Sequence, residues 1–198
     1  MRHPDPLRIA AVAGLVLMLA APFARAQQAQ LPQLMQLLAH RGSARATFVE
    51  KTYIGIIDRP LVSTGDLSFV APDSLQKRTL TPKPESLVLR GNTLTVTQPG
   101  KRRIKVNLQE HPEIAAFVES IRGTLAGDLS ALNKFYVLRL TGTMGKWRLV
   151  LIPKRQRLSR IFSRIRISGS HANINTIELD QHDGDHSVMV VTQVAASR

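Results

Sequence analysis

Apolar and polar residues alternate along most of this chain, and a period of two is typical of β-strands that bury one face. The alternating segments are residues 44–54, 61–70, 75–81, 86–89, 93–97, 103–108, 135–141, 147–152, 161–168, 173–179 and 187–194. Turn-forming residues separate several of them, as in Arg90-Gly91-Asn92, Pro99-Gly100, Thr143-Met144-Gly145 and His182-Asp183-Gly184-Asp185. The pattern therefore predicts about eleven short antiparallel strands.

Two segments change to helical spacing. Apolar residues recur three and four positions apart over residues 31–40, and Gly42 ends that pattern. Near the middle of the chain Pro112 takes a first-turn position, and an apolar stripe follows it. Asp128 is placed to cap a last short helix that runs through Lys134. We expect one leading helix and a helical insertion before the last group of strands.

This order of elements defines the fold class. A plain β-sandwich needs no helices, and a doubly wound α/β fold alternates strands with helices. Sheets of this many strands tend to curl. The sequence therefore predicts a mainly β (α+β) protein in which one curved antiparallel sheet holds helices in its concavity.

The first 26 residues have the features of a secretory signal peptide. Arg2 and Arg8 supply a positively charged region before an apolar run over residues 9–20, and Ala24-Arg25-Ala26 is a cleavage motif. The run is too short for a membrane span, which needs about 20 residues. We expect cleavage after Ala26, and a single domain over residues 27–198.

Cysteine content and charge bear on the compartment and the partners. The chain has no cysteine, so it has neither disulfides nor a lipidated N-terminal cysteine. With the export signal, this predicts a soluble protein in the periplasm, with full secretion as the alternative. We also expect a monomer. The formal net charge is +13, which in an exported protein favours contact with anionic lipid or an acidic partner and makes nucleic acid a poor candidate.

The apolar faces of the strands allow two interpretations. One is an ordinary close-packed core. The other is a groove for acyl chains, which offer no hydrogen bonds and therefore suit walls of flexible aliphatic side chains. Aromatic residues make up only 5% of the chain, and the alternating positions are mostly Leu, Val and Ile, which suits a groove.

A local motif carries a resemblance to a known family. It reads Ser63-x-Gly65-x-Leu67-x-Phe69-x-x-Pro72-x-x-Leu75, and Pro84-Glu85 and Gly91-Asn92-Thr93-Leu94 follow it. Over roughly residues 30–195, the order of elements and this motif resemble the outer-membrane lipoprotein carrier protein LolA. The resemblance implies an incomplete antiparallel β-barrel of about eleven strands with a small helical lid over a hydrophobic cavity. It further implies a carrier that takes acyl chains from an inner-membrane donor to an outer-membrane acceptor.

The alternation and the resemblance together predict the site. The cavity residues are Leu67, Phe69, Leu75, Leu87, Leu89, Leu94, Val96, Ile104 and Val106. The lid residues are Leu34, Leu38, Ile114, Phe117, Val118 and Ile121.

Two positions depart from the family pattern. LolA has an arginine immediately before the proline, where it bonds to the lid and holds the empty cavity shut, and this chain has Ala71. Lys77 stands where LolA has a large aromatic residue. The resemblance then predicts a lid held by apolar contact alone. The acceptor protein LolB also lacks the arginine, but it is a lipoprotein.

Positive charge is concentrated in two segments. Residues 154–166 contain the predicted docking residues Arg155, Arg157, Arg160 and Arg164. A second cluster consists of Lys101, Arg102, Arg103 and Lys105. These cations either protect a strand edge from pairing with another chain or dock the protein to an anionic membrane or a transporter.

The sequence offers no catalytic machinery. No nucleophile, base and orienting group can be assembled, so we expect no enzyme activity and no cofactor. The acidic and histidine residues over 180–186 fit a hairpin turn better than a metal site. The alternative function is a periplasmic sensor, since RseB-like proteins use a similar half-barrel to detect lipoprotein and bind a regulator.

Overall fold

The computed structural model describes residues 21–194, with side chains from residue 30 onward. Its helices are α1 (Ala21–Ala39), α2 (Pro112–Ala126), α3 (Leu129–Phe135) and α4 (Gln156–Ser159). Its strands are β1 (Ser43–Tyr53), β2 (Leu61–Val70), β3 (Ser74–Thr81), β4 (Glu85–Arg90), β5 (Thr93–Thr97), β6 (Ile104–Asn107), β7 (Tyr136–Thr143), β8 (Lys146–Pro153), β9 (Phe162–Ser170), β10 (Asn173–Gln181) and β11 (His186–Gln193).

All eleven strands form one antiparallel sheet in the order β6-β5-β4-β3-β2-β1-β11-β10-β9-β8-β7. Consecutive strands pair within β1–β6 and within β7–β11, and β1 also pairs with β11, which joins the two halves into one sheet. The edges are β6 and β7, which do not pair, so the barrel is incomplete. The predicted curved sheet with helices is confirmed.

The helices fill the two halves of the concavity differently. α1 and α3 pack with β7 to β10 around Trp147 and Tyr136, both fully buried. In the other half α2 covers β4 and β5, where Leu89, Leu108 and Val118 form a smaller cluster. The first half is therefore a packed core, and the second leaves space beneath α2.

Two glycines leave room for aromatic rings that pack closely against the sheet. Gly65 on β2 faces Phe48 on β1, and a Cβ at position 65 would lie 2.9 Å from the Phe48 ring and 1.9 Å from the carbonyl oxygen of Arg78. Gly169 on β9 faces Trp147 on β8, and a Cβ there would lie 2.4 Å from the indole. Any larger side chain would displace the sheet or the ring.

The first helix is longer than predicted. α1 begins at Ala21, ten residues before the predicted start at residue 31, and it contains Pro32. Residues 21–30 are rich in alanine and glutamine, which favour helix without producing an apolar stripe. Residues 1–20 of the predicted signal peptide lie outside the described residues. No helix in the described part of the chain is long and apolar enough to cross a membrane.

The edge-protection interpretation of residues 154–166 is wrong. β9 lies inside the sheet between β8 and β10, so its cations protect no edge. The second cluster does lie at an edge, since Lys105 belongs to β6 and residues 101–103 precede that strand.

Candidate functional site

A cavity of about 260 Å³ lies between α2 and the concave face of the sheet. The sheet contributes residues from β1 to β5 on one side and from β10 and β11 on the other. Its apolar lining is Ala44, Ala46, Leu67, Phe69, Leu75, Leu87, Leu89, Leu94, Ile174, Ile177, Leu179, Met189 and Val191 from the strands, with Ile114, Phe117, Val118, Ile121 and Leu125 from α2. Most of the wall is thus aliphatic and offers a ligand no hydrogen bonds.

Strand register explains why these side chains converge. Phe69 pairs with Leu75, Leu75 with Leu89 and Leu89 with Leu94, so one row of apolar side chains crosses four strands. Directly opposite residues in paired strands point to the same face of the sheet. The alternation seen along each strand is therefore carried across the sheet.

A β-bulge in β10 brings residues of both parities to the cavity face. Its pairing with β9 shifts between Ile174 and Thr176, so Asn175 is an extra residue. A bulge of this kind reverses the alternation of the strand. Ile174 and Ile177, which differ in parity, consequently both line the cavity.

One ion pair interrupts the apolar wall. Lys77 on β3 donates to Glu50 on β1 at 2.6 Å, and their side chains are only 27% and 16% exposed. The Lys77 ammonium also lies 5.0 Å from the centre of the Phe48 ring, a cation–π geometry. Glu50 therefore balances the positive charge of Lys77, the lysine that replaces the family's aromatic residue.

Arg41 is a third charged residue of the lining, and its hydrogen-bond partners are neutral. Its guanidinium donates to the Ala172 carbonyl at 3.0 Å, to Asn173 at 2.9 Å and to Gln193 at 2.7 Å. Burial lowers the pKa of Arg41 below its ordinary value. These bonds link the turn before β1 to the start of β10 and the end of β11.

Polar contacts anchor α2 at two places. Arg122 donates to the carbonyl oxygen of Gly91 at 2.7 Å, which ties the helix to the β4–β5 turn, and Glu119 holds the same guanidinium. Tyr136 on β7 donates to the Ala116 carbonyl at 2.8 Å. Its phenol is buried, and burial raises the pKa of Tyr136. The expectation of a lid held by apolar contact alone is wrong.

The predicted lining residues divide into two groups. Leu67, Phe69, Leu75, Leu87, Leu89 and Leu94 lie on the cavity wall, and so do Ile114, Phe117, Val118 and Ile121 of α2. Val96, Ile104 and Val106 face the same side of the sheet by register but lie outside the cavity, towards the β6 edge. Leu34 and Leu38 are fully buried in the packed core with α3, so they are core residues rather than lid residues.

The predicted docking residues do not all lie together. Arg155, Arg157 and Arg160 are exposed in the connection between β8 and β9, and Arg157 approaches Glu113 of α2 at 3.8 Å. Arg164 lies on the outer face of β9, where it pairs with Asp180 at 2.9 Å. It is therefore not part of the same patch.

The residues of the 180–186 segment serve structural roles. Asp180 accepts from both Arg164 and Arg166, and Asp185 accepts from the backbone N–H of Gly55 at 2.9 Å. His186 stacks on Tyr53 with ring centres 4.4 Å apart. Among the residues described, no three His, Asp or Glu side chains are grouped as metal ligands.

A family model described as "Outer membrane lipoprotein carrier protein LolA-like" matches residues 21–197. The chain belongs to this family. Its open eleven-stranded sheet with helices in the concavity is the LolA-like incomplete barrel. No curated protein sequence matches the chain.

Solved structures with a similar fold are distant in sequence. The LolA superfamily protein NE2245 from Nitrosomonas europaea is 10% identical, with 87% of this chain and 94% of that chain covered and a TM-score of 0.45. The MucA/MucB complex from Pseudomonas aeruginosa contains a chain 15% identical, with 85% of this chain and 59% of that chain covered and a TM-score of 0.47.

Proposed function

We propose that this LolA-like protein is a periplasmic carrier that holds acyl chains of a lipoprotein or a related lipid and passes them towards the outer membrane. The observation that carries the proposal is the cavity wall, in which aliphatic side chains from seven strands and α2 face a common space. As parts of the same proposal, residues 1–26 direct export, the protein is a monomer, and it catalyses no reaction.

The energetics of acyl chains explain why such a cavity is useful. Each buried CH₂ is worth about 0.8 kcal/mol, so a chain of ~16 carbons gains on the order of 10 kcal/mol when it leaves water. Free diffusion of such a lipid across an aqueous compartment is therefore negligible. A protein that replaces water around the chain removes this barrier.

The size of the cavity bears on how loading occurs. Its volume of about 260 Å³ is just below the roughly 300–1,000 Å³ of ordinary ligand pockets. A space of this size suits one acyl chain or part of one. A lipid with several chains requires α2 to move away from the sheet, and the contacts that resist this movement are those of Arg122 and Tyr136.

The first test is to purify the exported protein from the periplasm without detergent and to analyse its organic extract by mass spectrometry. A stoichiometric lipid or acylated peptide is expected and would identify the class of cargo. A protein that carries no lipid and takes up none from added vesicles would contradict the proposal.

A further inference from the structure

The strand connections divide between two ends of the sheet. Because every strand is antiparallel to its neighbours, the loop after β1 lies at the same end as the turn before β11, and Tyr53 indeed pairs with His186. Gln181 pairs with Phe162 at that end as well. We name this end the basic rim, defined as residues 54–60, 82–84, 98–103, 154–161 and 182–185.

The basic rim concentrates positive charge. The β5–β6 loop contributes Lys101, Arg102 and Arg103, and the β8–β9 connection contributes Lys154, Arg155, Arg157 and Arg160. Arg59 and Lys83 add to them, against the carboxylates of Asp58, Asp183 and Asp185. Within the described residues, Arg157 is the one rim cation with a carboxylate in ion-pair contact, at 3.8 Å.

The other end of the sheet differs in charge. Its connections are residues 40–42, 71–73, 91–92, 108–111, 144–145 and 171–172. Among them the cationic Arg41 is balanced by Asp73 and Glu110, and its guanidinium is already bonded to three protein acceptors. Among the connections, the excess of formal positive charge therefore lies at the basic-rim end of the sheet.

Exposed isoleucines accompany these cations. Ile56 at the tip of the β1–β2 loop is 93% exposed, Ile161 is 40% exposed, and Ile104 beside the β5–β6 loop is 57% exposed. At 93% exposure Ile56 contributes almost nothing to the packed core, and Ile104 and Ile161 each leave a large apolar surface in contact with solvent. Basic side chains interspersed with exposed apolar ones are typical of surfaces that insert shallowly into an anionic bilayer.

We propose that the basic rim docks onto the surface of an anionic phospholipid bilayer. The cations come from several separate loops at one end of the sheet rather than from one element, which suits a broad field of anionic headgroups. The rim also adjoins the start of the lid, since Arg157 contacts Glu113, and Phe162 stacks on Phe117 of α2 at 5.3 Å between ring centres. Docking brings the lid helix next to the membrane, and it does not depend on what occupies the cavity.

The test measures binding of the exported protein to sedimented vesicles of phosphatidylcholine alone or mixed with phosphatidylglycerol. Binding is expected only with phosphatidylglycerol, and it should weaken from 0.01 to 0.5 M salt, a roughly sevenfold shortening of the screening length. The triple variant Arg155→Gln, Arg157→Gln and Arg160→Gln should lose at least about tenfold in affinity. Ile56→Ser should weaken the binding that remains at high salt.

The matched control removes the same charge away from the rim, as Arg45→Gln, Arg90→Gln and Arg139→Gln, all of which are exposed. It should lose less than about twofold. Equal loss in both triple variants, equal binding to phosphatidylcholine alone, or no vesicle binding would overturn the proposal, and the last result would redirect the search to acidic proteins. Leu75→Glu should still dock, so failure of the carrier function is distinguishable from failure of docking.

Discussion

Lys77 on β3 reaches across β2 to donate a 2.6 Å hydrogen bond to Glu50 on β1, inside a cavity whose remaining wall is mostly aliphatic. The two residues are not on adjacent strands, so their contact ties three strands together on the concave face. Removing one partner leaves a half-buried charge without its counter-ion, which costs more than the pair itself contributes.

We therefore expect Glu50→Gln to lower the free energy of unfolding by about 1–3 kcal/mol, because the Lys77 ammonium is left unpaired. The double variant Glu50→Gln with Lys77→Met should recover most of the loss. Urea unfolding measures both. Additive losses in the double variant would show that the two side chains do not interact.

Arg122 provides the polar contact between α2 and the β4–β5 turn, and its removal should loosen the lid. Arg122→Ala should accelerate the release of a bound fluorescent fatty acid several-fold in stopped-flow experiments. An increase of this size is expected when a hydrogen bond worth about 1–2 kcal/mol is lost. Arg139→Ala, an exposed arginine on β7, is the matched control. Unchanged release in Arg122→Ala would mean that the Arg122 contact does not hold the lid.

Tyr136 gives a pH dependence with a definite sign. Burial raises the pKa of its phenol in the folded protein, so folding favours the neutral form. The contribution of the neutral phenol to the free energy of unfolding is complete below the ordinary tyrosine pKa of about 10 and is lost as pH rises above it. Tyr136→Phe should be less stable at pH 7 because the Ala116 carbonyl loses its donor, and the difference from wild type should narrow in alkaline urea titrations. A constant difference up to pH 11 would contradict this.

Gly65 is required by the Phe48 ring and by the neighbouring backbone. Gly65→Ala should lower the free energy of unfolding by about 2 kcal/mol or more, since its Cβ has no space. Gly145→Ala is the control, because its nearest neighbour would be an ordinary 3.9 Å away. Equal stability of the two variants in denaturant would show that the sheet adjusts freely at position 65.

Much of the fold follows from local patterns. Alternation in residues such as Leu87 and Leu89 was sufficient to place the strands, and the stripe from Ile114 to Ile121 was sufficient to place α2. The division between core and cavity does not follow from them. Leu149 and Leu151 alternate in the same way, yet both are fully buried in the packed half. The difference depends on which helices cover each half, and alternation along a strand does not record it.

Some residues of the site could not be predicted from the sequence, for similar reasons. Ile174 and Ile177 break strict alternation because of the bulge at Asn175, and no residue type marks that bulge in advance. Met189 and Val191 on β11 do alternate, and the pairing of β11 with β1 is what brings them to the cavity. Contacts such as Lys77 with Glu50 and Arg122 with Gly91 join distant segments and require the tertiary structure.

The central claim is that the space beneath α2 binds acyl chains, and one pair of variants on β3 tests it most directly. Leu75 lines the cavity, whereas Leu80, the extra residue in the pairing of β3 with β2, lies outside the cavity lining and is 42% exposed. Fluorescent fatty-acid binding should weaken by about tenfold or more in Leu75→Glu, since a buried carboxylate is costly beside the chain. Leu80→Glu should bind as wild type does. Equal affinity of wild type and a folded Leu75→Glu protein would contradict the claim.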